Sequence, residues 1–453
     1  MTFSALDSAL TGPLFATDAM RDCFSDDARL GAMLAVEAAL ARAEAAVGLA
    51  PVELAGAIEA IAPAQLGATA IGRQTALAGV PTIPFVKAAQ ACLPADLERS
   101  FHKGATTQDI LDTALVLQVK QALTLIRSEL LAIMDGLSGL AQRYRETPCI
   151  GRTYGQHGAP VTFGFKAAVW LAGVAEIAEQ LPALRARMLV ASLSGPVGTL
   201  TGLGAKGPEV LDGFARALGL VAPPIAWHAR RGRIAACGGW LAQLIGALAK
   251  MATDVANLAS TEVGEAAEPY VPGRGGSTAM PHKRNPVSCT VILAAHGAAP
   301  GLAGTLLSAM AAAHERPAGL WHAEWHALPA LFGLASGALR EARVLAEGLE
   351  VDPARMLANL DATHGLLFAD GVAARLGATL GREAAHALVE HAAGEVRRSG
   401  EHLRAVLARD PAISGVDLAP AFDLAPAIAA ARPWVDRAVE QATSVRAAVM
   451  EDV

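Results

Sequence analysis

Apolar residues recur at helical spacing along most of the chain. From Ser25 to Val47 (SDDARLGAMLAVEAALARAEAAV), Leu30, Met33, Leu34, Ala38 and Leu40 fall on one broad face behind a Ser-Asp-Asp start, which predicts a helix. From Gln108 to Tyr144 the chain runs without proline, and similar long apolar-periodic runs span 161–191, 232–268 and 287–313. Long apolar stripes need partners of matching length, so these runs predict a central bundle of long helices over residues 109–351. Before it, short segments separated by Pro51, Pro63, Pro81, Pro84 and Pro94 predict a small helical domain over 1–108. After it, shorter patterns broken by Gly365, Gly377, Gly381, Gly400, Pro411 and Pro420 predict a third helical domain over 352–453. No segment shows convincing strand alternation, and there is no GxGxxG or Walker-type glycine loop. The expected class is all-α.

Composition supports this reading and excludes several functions. The 453 residues suffice for about three domains. They are 53% hydrophobic but only 4% aromatic, so the apolar content is mostly Ala, Leu, Val and Ile. The net charge of −6 leaves no excess of cations for a polyphosphate backbone, so nucleic acid is not an expected partner. Cys23, Cys92, Cys149, Cys237 and Cys289 are scattered without metal-ligand spacing and read as buried thiols in a reducing cytoplasm. The N-terminus lacks the basic and apolar regions of a signal peptide. No charged residue lies between Arg284 and Glu315, a length that invites a transmembrane reading. Its Asn285, Ser288, His296, Pro300 and many small residues fit better a helix packed on all sides by other helices, with no membrane partner.

Chemistry concentrates at the junctions between the long runs. Gly275 to Pro286 reads GGSTAMPHKRNP: a glycine pair, two hydroxyls, two basic residues and an amide between helices. Such a segment is either a solvated turn or a loop able to close over an anion. His102, Thr106, Thr107 and Gln108 stand just before a long helix, where hydroxyls, free N–H groups and the positive helix end suit a carboxylate; simple capping is the other reading, and the better one for Asp109. Arg152, Tyr154, Gln156 and His157 form a third polar group, in which Arg152 either meets substrate or forms a structural ion pair. His322 and His326 share a helix face and His314 lies nearby, but Glu324 is out of register for a zinc motif, so with Trp321 and Trp325 they read as packing. Glu262, Glu265 and Glu268, at helical spacing, read as a polar helix face.

GGSTAMPHKRNP resembles the G-S-S-x-M-P-x-K-x-N-P signature of the fumarase/aspartase superfamily, with Thr278 in the second serine position. Two further blocks of that superfamily follow its order: HKGATTQDILDT at His102 to Thr113 and GRTYGQHGAP at Gly151 to Pro160. Within the superfamily the chain is most similar to the bacterial 3-carboxy-cis,cis-muconate cycloisomerases, including WHARRGR at Trp227 to Arg233, HERPAGLWHAEWHALP at His314 to Pro329 and LRAVL at Leu403 to Leu407.

The resemblance implies an all-helical, three-domain subunit in a homotetramer whose active sites are each assembled from three subunits. It implies a small tricarboxylate substrate, no cofactor and no metal. It casts Ser277 as the proton-transfer group, with Thr278 as competitor, and Lys283 as the residue that perturbs it. Thr278 and Asn285 on the loop, Arg152, Tyr154 and Gln156, and His102, Thr106, Thr107 and Gln108 would hold carboxylates. The superfamily usually has His after Arg-Thr; here that position is Tyr154, and His157 is the alternative imidazole. Loss of that His should harm a hydrolyase or ammonia lyase. A lactonising enzyme tolerates it, because its nucleophile is the substrate's own carboxylate, already ionised with a pKa near ~4. The competing functions are an adenylosuccinate lyase-like C–N lyase, a metal hydrolase built on the 314–326 histidines, and a silent helical scaffold.

Overall fold

The computed structural model describes residues 3–451 and is all-α, 67% helix and 4% strand. The helices that carry the architecture are α1 (Asp26–Ala46), α2 (Thr107–Arg143), α3 (Phe163–Ala178), α4 (Gly232–Leu258), α5 (Val287–Ser308), α6 (Leu320–Gly348), α7 (Arg382–Ser399) and α8 (Ala425–Glu451). Local chemistry sets their starts. Ser25 Oγ accepts the Ala28 N–H at the head of α1, with Asp26 and Asp27 in the first turn, and Asp109 Oδ2 reaches back to the Thr106 N–H at the head of α2.

α2 to α6 form the bundle, and α8 returns to lie on α2 and α3. The apolar faces of α1 and of the residues before α2 share one continuous core with the bundle, and Val435, Ala442, Val445 and Val449 of α8 enter the same core. Residues 372–418, including the buried Val389 and Val396 of α7, pack around a separate core.

Two features differ from the sequence expectation. The Gly151–Pro160 block is not helical or irregular. It is a hairpin of β1 (Pro148–Thr153) and β2 (Gln156–Thr162), antiparallel, with a register shift at Gly151/Arg152 and a two-residue turn at Tyr154-Gly155. And α5 is not enclosed. It packs on α4 and α6, but only a third of its most apolar stretch is buried, and Leu293 and Leu307, with Met310 just beyond its end, stay exposed. By length and composition, α5, α4 and the Phe163–Met188 segment could each cross a membrane. Cys92 is exposed; the other four thiols are buried, and all five are free.

Candidate active site

The first block is anchored from behind. Gln108, Asp109 and Asp112 sit on the inner face of the first turns of α2, all buried. Asp109 accepts from the backbone N–H groups of Thr106, Ser194 and Gly195 and pairs with His228 Nε2 at 2.7 Å. This is the structural role expected for Asp109. Gln108, expected to hold substrate, is fully buried, and its amide donates to Asp112 Oδ2 at 3.0 Å and to the His228 carbonyl at 2.9 Å. Its amide nitrogen supports the block from within, and its Oε1 has no partner among the described residues. Asp112 in turn receives the guanidinium of Arg231 at 2.7 and 3.0 Å and the Trp321 indole N–H at 3.1 Å, while the other side of Arg231 grips Glu324.

Of the groups expected to meet substrate in this block, Thr106, Thr107 and His102 are partly exposed, and Lys103 beside them is exposed. Thr106 Oγ1 accepts from Arg316 at 3.0 Å, which brings into the block an arginine that sequence reasoning left unassigned. His102 has a left-handed backbone (φ +58°) and its Nδ1 lies 2.6 Å from Glu37 Oε1 of α1. Burial works against its charge, but Glu37, Asp109 and Glu44 outweigh it and raise its pKa.

Glu44, also buried on α1, is pushed up to about 8 by burial, opposed by Lys103, reinforced by Glu37 and opposed again by His102. A carboxyl raised on folding stabilises the native state fully below its ordinary 4.5, and that contribution is lost as pH climbs through about 8. Glu44→Gln is therefore expected to remove up to about 5 kcal/mol of pH-dependent stability between those limits. Melting temperatures at pH 5, 7 and 9 check this: the variant's curve should be flatter, and a slope equal to wild type rules the assignment out.

The second block rides on the hairpin. Tyr154 and Gly155 both have positive φ (+52° and +75°), so the turn matches the right-handed strand twist at the cost of a bulky residue in the left-handed region. Tyr154 is fully exposed at the tip, and Gln156 beside it is exposed too. Arg152 makes a bidentate pair with Glu265 at 2.6 and 3.0 Å, the structural ion pair that the sequence left open. His157 Nδ1 is buried without a partner, and burial together with the Arg152 charge lowers its pKa against the pull of Glu265.

Glu265 requires a correction. α4 ends at Leu258, not 268, because the chain turns at Ser260 and passes through Gly264 at φ +61°. Glu262, Glu265 and Glu268 therefore share no helix face. Glu265 is buried against Arg152 and Asn359, and Glu268 accepts the Ser288 and Cys289 N–H groups at 3.0 and 2.9 Å, capping the start of α5.

The third block is a loop with pinned ends and a free tip. Asn285 N–H donates to Gly275 O at 2.8 Å, and a side chain at Gly275 would collide with the Asn285 carbonyl oxygen. Arg274 bonds Ser288 Oγ at 2.9 Å and pairs with Glu341, while Arg284 reaches the Glu268 carbonyl at 2.7 Å and lies over the Tyr270 ring. Between these anchors Thr278, Lys283 and Asn285 are exposed and Ser277 is half-buried. Ser277 Oγ accepts the N–H groups of Met280 at 3.1 Å and Ala279 at 3.4 Å. Lys283 and Asn285 line a cleft of about 520 Å³ with Tyr270, Arg274, His282 and Arg284.

Among the described residues no hydrogen bond or ion pair joins one block to another. Nor do three His, Cys, Asp or Glu side chains among them converge as a metal site. Trp321 is buried and stacks edge-on against Trp325 and His322, whereas His314 and His326 are exposed.

The comparisons with known proteins cover almost the whole chain. The lyase family profile matches residues 14–301, and the adenylosuccinate lyase C-terminus profile matches residues 365–438. The chain is 45% identical over 418 residues to the 3-carboxy-cis,cis-muconate cycloisomerase of Pseudomonas putida, covering 91% of this chain and 98% of that protein. It is 41% identical to the nitrosuccinate lyase of Streptomyces davaonensis, covering 96% and 95%. The crystal structure of the 3-carboxy-cis,cis-muconate lactonizing enzyme from Pseudomonas putida superposes with a TM-score of 0.92 at 43% identity, covering 97% and 100%.

Proposed function

This chain belongs to the lyase family of the fumarase/aspartase superfamily, and from that membership we propose that it lactonises 3-carboxy-cis,cis-muconate to 4-carboxymuconolactone. The observation that carries the reading is the likeness to cycloisomerases along nearly the entire chain, at 45% identity. Tyr154 agrees with it. The position that elsewhere in the superfamily manages a proton on the leaving group or water holds a phenol here, which suits a reaction whose nucleophile needs no base.

In this reaction a terminal carboxylate oxygen of the substrate bonds to the alkene carbon that bears the 3-carboxyl group. The π electrons move to the neighbouring carbon, α to the other terminal carboxylate, and that carbon takes one proton. Ser277 supplies it. The two N–H groups already directed at its Oγ stabilise the alkoxide left behind, and Lys283 on the same loop adds positive charge. Thr278 is the alternative donor. His102, Thr106, Thr107, Gln156 and Asn285 offer donors to three carboxylates; Arg152 stays paired with Glu265 and orients the hairpin, while His157 offers a second imidazole. No electrons leave the substrate and its nucleophile is already ionised, so the reading calls for neither a redox cofactor nor a metal.

The reading also makes the protein a homotetramer with sites shared between subunits. Its support is that among the described residues no hydrogen bond or ion pair joins one block to another, together with the open apolar face of α5. Free thiols at all five cysteines support a cytoplasmic location.

A second reading, elimination across a C–N bond, has its own support in the 41% identity to nitrosuccinate lyase and in the C-terminal profile match. One assay separates the two. Loss of the conjugated diene of 3-carboxy-cis,cis-muconate is followed in the ultraviolet with and without chelator, beside adenylosuccinate and nitrosuccinate. The expected result is chelator-resistant loss of the diene. An untouched diene with cleavage of either succinate keeps the family and overturns the substrate.

A further inference from the structure

The first block contains a histidine whose charge is set from the protein side. Glu37 lies in the middle of α1 with 1% of its surface exposed. Its Oε1 is 2.6 Å from His102 Nδ1, and its Oε2 has no partner. Burying a carboxylate is costly unless a cation pairs with it, and His102 Nδ1 is the group placed to do so. The geometry also fixes which nitrogen is spent. Nδ1 faces Glu37, while Nε2 makes no hydrogen bond to any described residue and the side chain is 19% exposed.

The groups packed around the ring agree with a held positive charge. Glu37 faces it from α1 and Asp109 from the start of α2, while Glu44, also on α1, is largely protonated below about pH 8 and adds least. Lys103 Nζ bonds the Leu49 carbonyl at 3.3 Å and its charge acts on Glu44, and Lys206 from the neighbouring turn bonds the Val47 carbonyl. The backbone beside the pair is tightly packed and left-handed. His102 sits at φ +58°, and Gly104 at φ +71° lies so close to Leu203 that an added Cβ would come within 2.5 Å of it.

We propose that Glu37 is a positioning residue that holds His102 as an imidazolium, with Nε2–H presented to a carboxylate of the substrate. This rests on the reading of the first block as a carboxylate site and assigns a role to a residue outside all three blocks. The imidazolium gives this block a charge-assisted donor where Thr106 and Thr107 offer neutral ones.

The test has two independent arms on the intact enzyme. In the first, the histidine Cε1 resonances are titrated, with His102 assigned by its loss in His102→Gln. The expected midpoint in wild type lies above that of free histidine, and Glu37→Gln lowers it by at least about one unit. In the second arm, KM and kcat for 3-carboxy-cis,cis-muconate are measured from pH 6 to 8.5. Glu37→Gln should raise KM about tenfold at the alkaline end and much less at pH 6, with kcat changed less. Glu37→Asp should restore part of the loss. His102→Gln guards against a variant that fails to fold: its KM should be raised equally at every pH. A His102 midpoint at or below the free value, or a Glu37→Gln KM profile parallel to wild type, overturns the proposal. Absence of turnover by wild type overturns the functional reading instead, and the titration then decides the Glu37 assignment alone.

Discussion

Ser277→Ala should lower kcat for lactonisation by about 10²- to 10⁴-fold, the range for removing a positioned proton-transfer group, with little change in KM or melting temperature. The structure explains why the loss should be confined to chemistry. Ser277 Oγ bonds only to the N–H groups of Ala279 and Met280, both in its own loop, and the loop ends are pinned independently by the Gly275–Asn285 bond and by Arg274 and Arg284. Removing the hydroxyl leaves two exposed N–H groups for water and disturbs no core contact. An ordinary serine is too weak an acid to protonate carbon readily. Two converging amides and the nearby lysine make its alkoxide accessible, so the loss should be large. Thr278→Ala, one residue along and exposed, serves as the control. A modest loss in Thr278→Ala beside a large one in Ser277→Ala assigns the proton to Ser277; the reverse pattern moves it to Thr278, and two modest losses remove the loop hydroxyls from the proton step.

The long helices were legible because their signals are local. A Ser-Asp-Asp start and a proline-free periodic run specify α1 and α2 without reference to the rest of the chain, and the structure ends both within a residue or two of the expected limits. The three chemical blocks were legible as motifs, but their immediate geometry was not. The hairpin escaped because its strands are short, a bulge at Gly151/Arg152 breaks the alternation, and Tyr-Gly is an unusual pair for a turn with two positive φ values. Glu262, Glu265 and Glu268 imitate a helix face by spacing alone; what ends the helix is backbone, a turn at Ser260 and Gly264. The burial of Gln108 was not legible, because burial is a tertiary property. Its partners, Asp112 on the next turn and His228 from 120 residues away, meet only in the fold. The open face of α5 reads in the sequence like any buried helix, since its exposed Leu293 and Leu307 are the residue types of a core.

The same distant pairing underlies the largest expected effect on stability. Arg231 is buried between Asp112 of α2 and Glu324 of α6, with a guanidinium edge toward each, and its Cζ lies 4.9 Å from the Trp227 ring centroid. Burial alone would lower its pKa, but the two carboxylates outweigh that and hold it charged. Arg231→Met keeps most of the volume and leaves the two acids buried face to face without their cation. Breaking a buried pair from one side in this way costs about 3–5 kcal/mol. The penalty should shrink as pH falls, because each carboxylate abandoned in a dry site can take up a proton and the folded variant then carries less buried charge. Substituting Asp112→Asn and Glu324→Gln alongside Arg231→Met should recover part of the loss for the same reason, and only part, because the amide at position 112 has a single acceptor oxygen for the two donors, Trp321 and Gln108, that now meet Oδ1 and Oδ2. Thermal unfolding of the assembled protein at pH 5.5 and 7.5 measures all of this. A single variant as stable as wild type at pH 7.5 would show that the three-residue cluster contributes nothing net. Because Asp112 shares the inner face of α2 with Asp109, whose carboxylate fixes Thr106, Ser194 and Gly195, Arg231→Met should also raise KM even where the fold survives. The buried charges then act on function through the register of the first block, at a distance from any substrate atom.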